Sequence, residues 1–554
     1  MADQVFPITF KPGILRDGSP FQGEYCTNGQ WTRFFKGFPQ NIGGMTALKT
    51  TVPLEKAQAT CIYVDQETEN PPNIFIGLST RCQTGEQYFV LTLFNSQNGT
   101  WAPPLPNNTI LGANWQIIPI IFQNGKVAKK SILCVPRMIA SITSNTPCPE
   151  IWNYCDNSWV KITNMINLDA DYPKLLAELT GGVLFVNPYL FVYGNNGLVR
   201  WSKSKLQLSF TASQPFRFDL LKYSINISTD KVIYAAGIRG GTANPSVLFW
   251  TLSSVIRLTN QGTINLNDGD DISFKKEIIT NDSSILSSNC VVEYDGIFYW
   301  PGTGRFFTYN GVVLPLENNL NRQTFFATLD MKKRQLVFGV KNIVKDEIWW
   351  FYPEKDKSED VGCTRAVIYN VIDNNWYDTA IERDCGYFDN VSGNMYTVGK
   401  NLVPYDGDQK NYIWQHETGT DQINNNYSND NLLNPTTKAI PSYFTTPIIS
   451  YASFNNFKQA SGIDRWMQIK RIEPNFKFTD TADMTITFNS QVYPLSPVIS
   501  SEPLPINTND QGLPARIEFM FQGRNINFTF KSEGLGSGYQ MSQTFVMADV
   551  GDGR

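Results

Sequence analysis

Histidine occurs once in the 554 residues, as His416. Zinc sites built on several histidines and the 2-His-1-carboxylate iron triad are therefore excluded. A Ser-His-Asp triad would have to use this one ring, and no GxSxG elbow accompanies it. No CxxC occurs among the nine cysteines, which are odd in number and scattered between Cys26 and Cys385. They read as reduced thiols made in a reducing compartment, without disulfides or zinc. Apolar runs are short: Ile117–Phe122 is interrupted by Pro119, far below the ~20 residues of a membrane helix. Met1–Phe10 has no basic stretch leading into an apolar one, so no signal peptide is expected. Walker A loops and a GxGxxG opening a helix are missing too, and no cofactor or metal is expected. Charged residues make up only 17 %, against the ~25 % usual for soluble proteins. Lys and Arg number 46 against 50 Asp and Glu, a net charge of −4. That balance excludes the broad basic surface of a non-specific nucleic-acid binder. It does not exclude a wall past which DNA slides without sticking.

What the chain does have is short strands. Runs of aromatic and β-branched residues end at Asn, Asp, Gly or Pro, as in Leu190–Tyr193, Ile297–Trp300 and Ile348–Tyr352. Helical patterns are confined to Asp171–Leu179 and Thr324–Leu336. An internal repeat organises the middle of the chain. Ile151–Trp159 and Ile368–Trp376 are identical at five of nine positions, and Leu93–Trp101 is a weaker copy. Each copy is a strand, an Asn/Asp turn and a Trp opening the return strand, read here as the inner hairpin of a four-stranded blade. Trp201, Trp250, Trp300 and Trp350 recur every 49 to 50 residues. The expectation is an all-β chain with a kelch-like β-propeller of about six or seven blades over 45–425. Trp101, Trp159 and Trp376 should hold equivalent blade positions. An N-terminal segment, 1–44, precedes the propeller. Asp421–Thr437 reads as a linker or surface loop. Beyond it, Met484–Phe488, Ala515–Phe519 and Asn525–Phe530 alternate apolar and polar residues. This places a smaller β-sandwich or barrel domain at 426–554.

Few motifs carry chemistry. Asp169-Ala170-Asp171 and Asn267–Asp271 are oxygen-rich, but neither has the bidentate Glu that ends an EF-hand loop, so both read as solvated turns. Sialidase-type propellers carry repeated Ser-x-Asp-x-Gly-x-Thr-Trp turns; only Asn98-Gly99-Thr100-Trp101 is similar, without the aspartate. Any two of 50 acids could form a glycosidase pair, and nothing in the sequence selects one.

Several stretches, taken in order, resemble a family of short-tailed bacteriophage tail proteins. They are Phe10–Ile14, Trp31–Phe34, Gly37–Gly44, Tyr299–Gly302 with Arg305–Gly311, Ile348–Pro353, Arg365–Asn370 with Asn375–Asp378, Ile413–Gly419, Lys470–Pro474 and Ser532–Gln540 before Gly551–Arg554. The resemblance implies the tail nozzle, or packaged-DNA stabilisation protein: a structural virion component and not an enzyme. Six copies would form a tube below the portal and its adaptor ring, bear tail fibres or tip proteins, face the host outer surface and conduct double-stranded DNA. The alternatives are a propeller-based tail glycan depolymerase of sialidase type and a fibre-attachment or baseplate protein. A conduit wall should be acidic or neutral so as not to hold phosphates. Asp268, Asp270 and Asp271, clustered in one loop, are the candidate DNA-channel residues. His416, in the family-like Gln-His-Glu stretch, reads as a structural turn residue.

Overall fold

The computed structural model describes residues 4–550 apart from 23, 52–57, 67–71, 82–86, 96–99, 102–112, 125–126, 139–150, 163–179, 203–210, 214, 217, 219–222, 239–245, 264–271, 356, 358–361, 405–410, 425–435, 451–465, 480–482, 494–495 and 508–515. The chain is an all-β propeller. Among the described residues, six four-stranded antiparallel meanders follow one another, and a seventh sheet runs on past its four blade strands into Gln422–Asn424, parallel to Met45–Thr51, and Thr436–Lys438. Their first strands are Gln58–Asp65, Ala113–Asn124, Gly182–Val186, Val232–Ile238, Val292–Tyr294, Phe338–Asn342 and Cys385–Asp389. The first strands of most neighbouring sheets touch, those of the fourth and fifth share one buried cluster through Ala236 and Val292, and the last meets Gln58–Asp65 again. The seventh sheet takes its fourth strand, Met45–Thr51, from the other end of the chain. A ring closed this way needs the two ends of the propeller segment to pair, and leaves no open sheet edge between its first and last members.

The tryptophan pattern has a structural basis. Trp101, Trp159 and Trp376 each stand second in the fourth strand of their sheet. They face Phe94, Tyr154 and Tyr369 respectively across the hairpin. The slot is equivalent, as expected, but it lies on the outer hairpin and not the inner one. The first strands line the axis because they contact the adjacent sheets there, which leaves the fourth strands at the rim. Trp250, Trp300 and Trp350 belong instead to second strands of the fourth, fifth and sixth sheets, which accounts for their near-50-residue spacing. Two of them tie strand to connection: Trp300 Nε1 donates to Ser284 O at 3.1 Å and Trp350 Nε1 to Cys290 O at 2.9 Å. Burying an indole with its N–H satisfied keeps the apolar gain without a desolvation loss.

The N-terminal segment is not a unit apart. Gln4–Ile8 pairs with Thr544–Val550, Asn28–Gln30 with Ser442–Thr445, and Phe38–Asn41 with Tyr539–Met541. Both chain ends thus build one β module. In it Met484–Gln491 alternates buried and half-buried residues, as its sequence requires. The module covers the outer edge of the sixth sheet. There Arg16 Nε donates to Asp378 Oδ1 at 2.9 Å, and Gln30 and Ala380 exchange two hydrogen bonds at 2.9 Å. An exposed strand edge is thereby protected. One apolar cluster runs through both parts, from Trp349 and Phe351 to Phe444, Met467 and Phe530. Asp421–Thr437 is not all surface loop: Gln422–Asn424 is a strand, and buried Gln422 Oε1 accepts from Leu402 N at 2.8 Å and Val403 N at 2.9 Å. Thr324–Leu336 divides into the helix Arg322–Thr328 and the 3-10 turn Met331–Leu336. Asp171–Leu179 lies outside the described residues.

Candidate functional site: the axial mouth of the propeller

The innermost strands begin at one end of the ring, and the residues just ahead of them converge there. They enclose a cavity of about 150 Å³. Asn114 comes from the second sheet's first strand and Arg137 from its second. Thr180 and Gly181 precede the third sheet, Lys231 and Ile233 open the fourth, and Ile285–Ser288 lead to the fifth. Arg334 and Gln335 come from the 3-10 turn before the sixth. The close fit has a backbone cause. A Cβ at Gly181 would stand 2.4 Å from Val232 O, and Gly182 has φ +135° with Gln116 Oε1 2.5 Å from where its Cβ would be. Only glycine lets the chain enter the third sheet this near the axis. Gln116 then joins the second and third sheets, donating to Val183 O at 2.7 Å and accepting from Val183 N at 2.9 Å.

The mouth is cationic. Arg137, Lys231 and Arg334 line it, and no carboxylate does so among its described residues. Arg137 Nη2 donates to Asn289 Oδ1 at 3.1 Å, while its buried Nε has no hydrogen-bond partner among the described residues. Burial, and then the charge of Arg137, hold the Lys231 ammonium below its ordinary pKa. An anion beside these like charges would relieve the penalty on the Lys231 ammonium. At an effective dielectric of about 20, one anion about 4 Å from one cation gains about 4 kcal/mol before desolvation. Asn114 and Gln335 add carboxamides, and Ile233, Leu252 and Ile285 an apolar side.

Two carboxylates stand close together elsewhere, and both are engaged. Arg33 is buried between Glu347 and Glu417, at 2.8 Å and 2.5 Å. Glu347 also accepts from Tyr377 Oη at 2.5 Å and Trp349 Nε1 at 2.8 Å. Burial raises Glu347, and Arg33 offsets this only in part. Burial pushes Glu417 the same way, but there the Arg33 charge and hydrogen bond prevail and lower it. Two carboxyls held apart in this way would suit acid–base chemistry, but a guanidinium fills the space a substrate would need. They fasten the N-terminal strands to the sixth and seventh sheets.

Asp268, Asp270 and Asp271, as well as Asp169 and Asp171, lie outside the described residues. His416 is no turn residue: it ends the strand Tyr412–His416, buried, with Nε2 2.7 Å from Thr397 Oγ1. Burial holds it well below the ordinary histidine pKa, so the ring is neutral. The seven described cysteines are free thiols, and Cys82 and Cys148 fall outside the described residues. Among the described residues no three His, Cys, Asp or Glu side chains gather as a metal would need. Arg137, Lys231 and Arg334 were not singled out from sequence. The signal was their place just before or beside an innermost strand, and that slot is visible only once strand order is known.

No family model and no curated protein matches this chain. Solved structures do. A Phanerochaete chrysosporium exo-β-1,3-galactanase is 9 % identical, with 92 % of this chain and 100 % of that one covered and a TM-score of 0.26. A Bacillus subtilis glycoside hydrolase family 43 arabinoxylan arabinofuranohydrolase is 10 % identical over 77 % of this chain and 94 % of that one, with a TM-score of 0.25. A Penicillium chrysogenum α-L-arabinanase is 6 % identical over 68 % and 97 %, with a TM-score of 0.30. At such scores no residue of theirs is carried to this chain. None of these three is a tail protein, so the expectation of a non-enzymatic tail nozzle finds no support among them and is not carried forward.

Proposed function

We propose that the chain is a carbohydrate-active propeller protein that receives the acidic end of a saccharide in its axial mouth. In this reading the seven sheets are seven blades, and the composite β module is a sandwich-like support bound to the sixth. The observation that carries the proposal is the convergence of Arg137, Lys231 and Arg334 on one cavity whose described lining holds no carboxylate. Guanidinium groups pair with a carboxylate through parallel N–H donors, and the ammonium adds a point charge. The amides of Asn114 and Gln335 suit hydroxyls, and Ile233 and Leu252 suit the apolar face of a ring. About 150 Å³ takes the charged terminus of a glycan and not a whole chain, since sites for drug-sized ligands run to roughly 300–1,000 Å³. The described lining offers cations and amides and no acid–base pair, so its derived role is recognition; cleavage is read by assay.

The test is calorimetric titration with oligogalacturonate and sialyl-lactose, with reducing-end release measured in parallel. Binding should weaken by about tenfold or more in Arg137→Ala, Lys231→Ala and Arg334→Ala, and should fall as salt rises. Failure of both acidic oligosaccharides to bind, or wild-type affinity for them in all three variants, would overturn the reading.

A further inference from the structure

A second cavity, of about 370 Å³, opens where the composite module meets the sixth sheet. One wall is the hairpin turn at Phe35 and Lys36. The opposite wall is formed by Val344–Asp346 and by Ile372 and Asp373, the connections at that end of the sheet. Gln40 and Gln540, directly opposite in register, close the third side. The floor is Arg33 with Glu347, already fixed by Tyr377, Trp349 and Glu417.

Three properties of this cleft select a ligand class. Its charges balance: Arg33, Lys36 and Lys345 against Glu347, Asp346 and Asp373, so no net charge is called for. Its rim is apolar and open, with Phe35 45 %, Val344 62 % and Ile372 70 % exposed. Its third side holds two half-buried carboxamides whose side chains make no hydrogen bond among the described residues. Cross-strand neighbours present such groups on one face, where each offers a donor and an acceptor. A pyranose has the matching surface, with C–H groups on one face and hydroxyls around the edge. The volume lies within the range of small-molecule sites and exceeds that of the axial mouth.

We propose that this cleft is a binding site for a neutral saccharide. Phe35 would stack on a sugar ring, and Gln40 and Gln540 would bond its hydroxyls. The proposal rests on the carbohydrate-directed reading above, but on different residues and on the opposite charge preference. It makes the rigid Arg33–Glu347 floor a preorganised base for the site and not a reacting pair, because those groups already saturate one another.

Saturation-transfer NMR on the full chain tests it, with cellotetraose, xylotetraose, laminaritetraose and maltotetraose at about 1 mM as probes. At least one should receive saturation, insensitive to salt. Its affinity should fall by about tenfold in Phe35→Ala and in the Gln40→Ala/Gln540→Ala double variant, and stay unchanged in Lys231→Ala. Phe35 is exposed enough for its truncation to leave folding intact, and circular dichroism checks both variants. Failure of all four probes overturns the proposal, as does binding that survives in the cleft variants or disappears in Lys231→Ala. If neutral sugars bind the cleft while acidic ones ignore the axial mouth, this site stands and the axial reading falls.

Discussion

Asp384 should make the closed ring less stable as pH rises through neutrality. It sits where the seventh sheet meets the first, with Oδ2 accepting from Ala59 N and from Asn411 Nδ2, both at 3.3 Å. Burial pushes its carboxyl from the ordinary 3.8 up to about 7, and the donors at Ala59 and Gln58 with the nearby Lys400 and Arg383 offset this only in part. The sign follows from proton counts. Between the unfolded and folded values the native state holds the proton and the unfolded chain does not, so stability falls with rising pH and levels off above about 7. From pH 5 to 7 the loss is two units at about 1.36 kcal/mol each, or about 3 kcal/mol. Asp384→Asn keeps shape and hydrogen-bonding capacity without the titration. Urea unfolding of variant and parent at pH 5 and pH 8 cancels the other titrating groups. The stability difference, variant minus parent, should grow by about 3 kcal/mol between the two pH values. A difference that does not change with pH would refute the reasoning, since it would mean that Asp384 is ionised in the folded state across the range.

Other substitutions separate packing from charge. Trp376, 2 % exposed and 4.7 Å from Tyr369 between ring centroids, should cost about 3–5 kcal/mol on truncation to alanine in a denaturant melt. Trp159 holds the same slot but is only partly buried, so its truncation should cost less than half as much. Arg33→Met should destabilise by about 3–5 kcal/mol, because it leaves Glu347 buried without its cation, and Arg33→Met with Glu347→Gln should recover part of that loss. Mass spectrometry of the unreduced protein should find Cys26, Cys61, Cys134, Cys155, Cys290, Cys363 and Cys385 as thiols.

The parts of the fold legible in the sequence are those that local chemistry decides. A strand, an Asn/Asp turn and a Trp fix the outer hairpin wherever they occur, because turn geometry and the cross-strand partner are set within a few residues. The alternation of Met484–Gln491 is equally local. Which hairpin faces the axis is not local, since it depends on neighbouring sheets, and the repeat lies one hairpin further out than its local pattern suggests. The joining of the chain ends lies further still from any local signal. Gln4 pairs with Ala548, and Arg33 finds its carboxylates at Glu347 and Glu417. No periodicity in residues 1–44 announces partners so distant.

The axial mouth follows from the same distinction. Lys231 stands immediately before the strand Val232–Ile238, and Arg334 lies in the turn that leads to Phe338–Asn342. In a ring, side chains at the heads of the inner strands must converge whatever their separation in sequence. A cation in that slot is ordinary on one sheet, but repeated around the ring it concentrates charge of one sign. Net charge conceals this, because −4 over 554 residues averages the mouth with the acidic remainder. One acid pair, Glu347 and Glu417, is occupied by Arg33, while cations that composition made unremarkable face the axial cavity. In this propeller, placement in the strand order decides which residues can meet a ligand, and that order becomes readable only after the ring is closed.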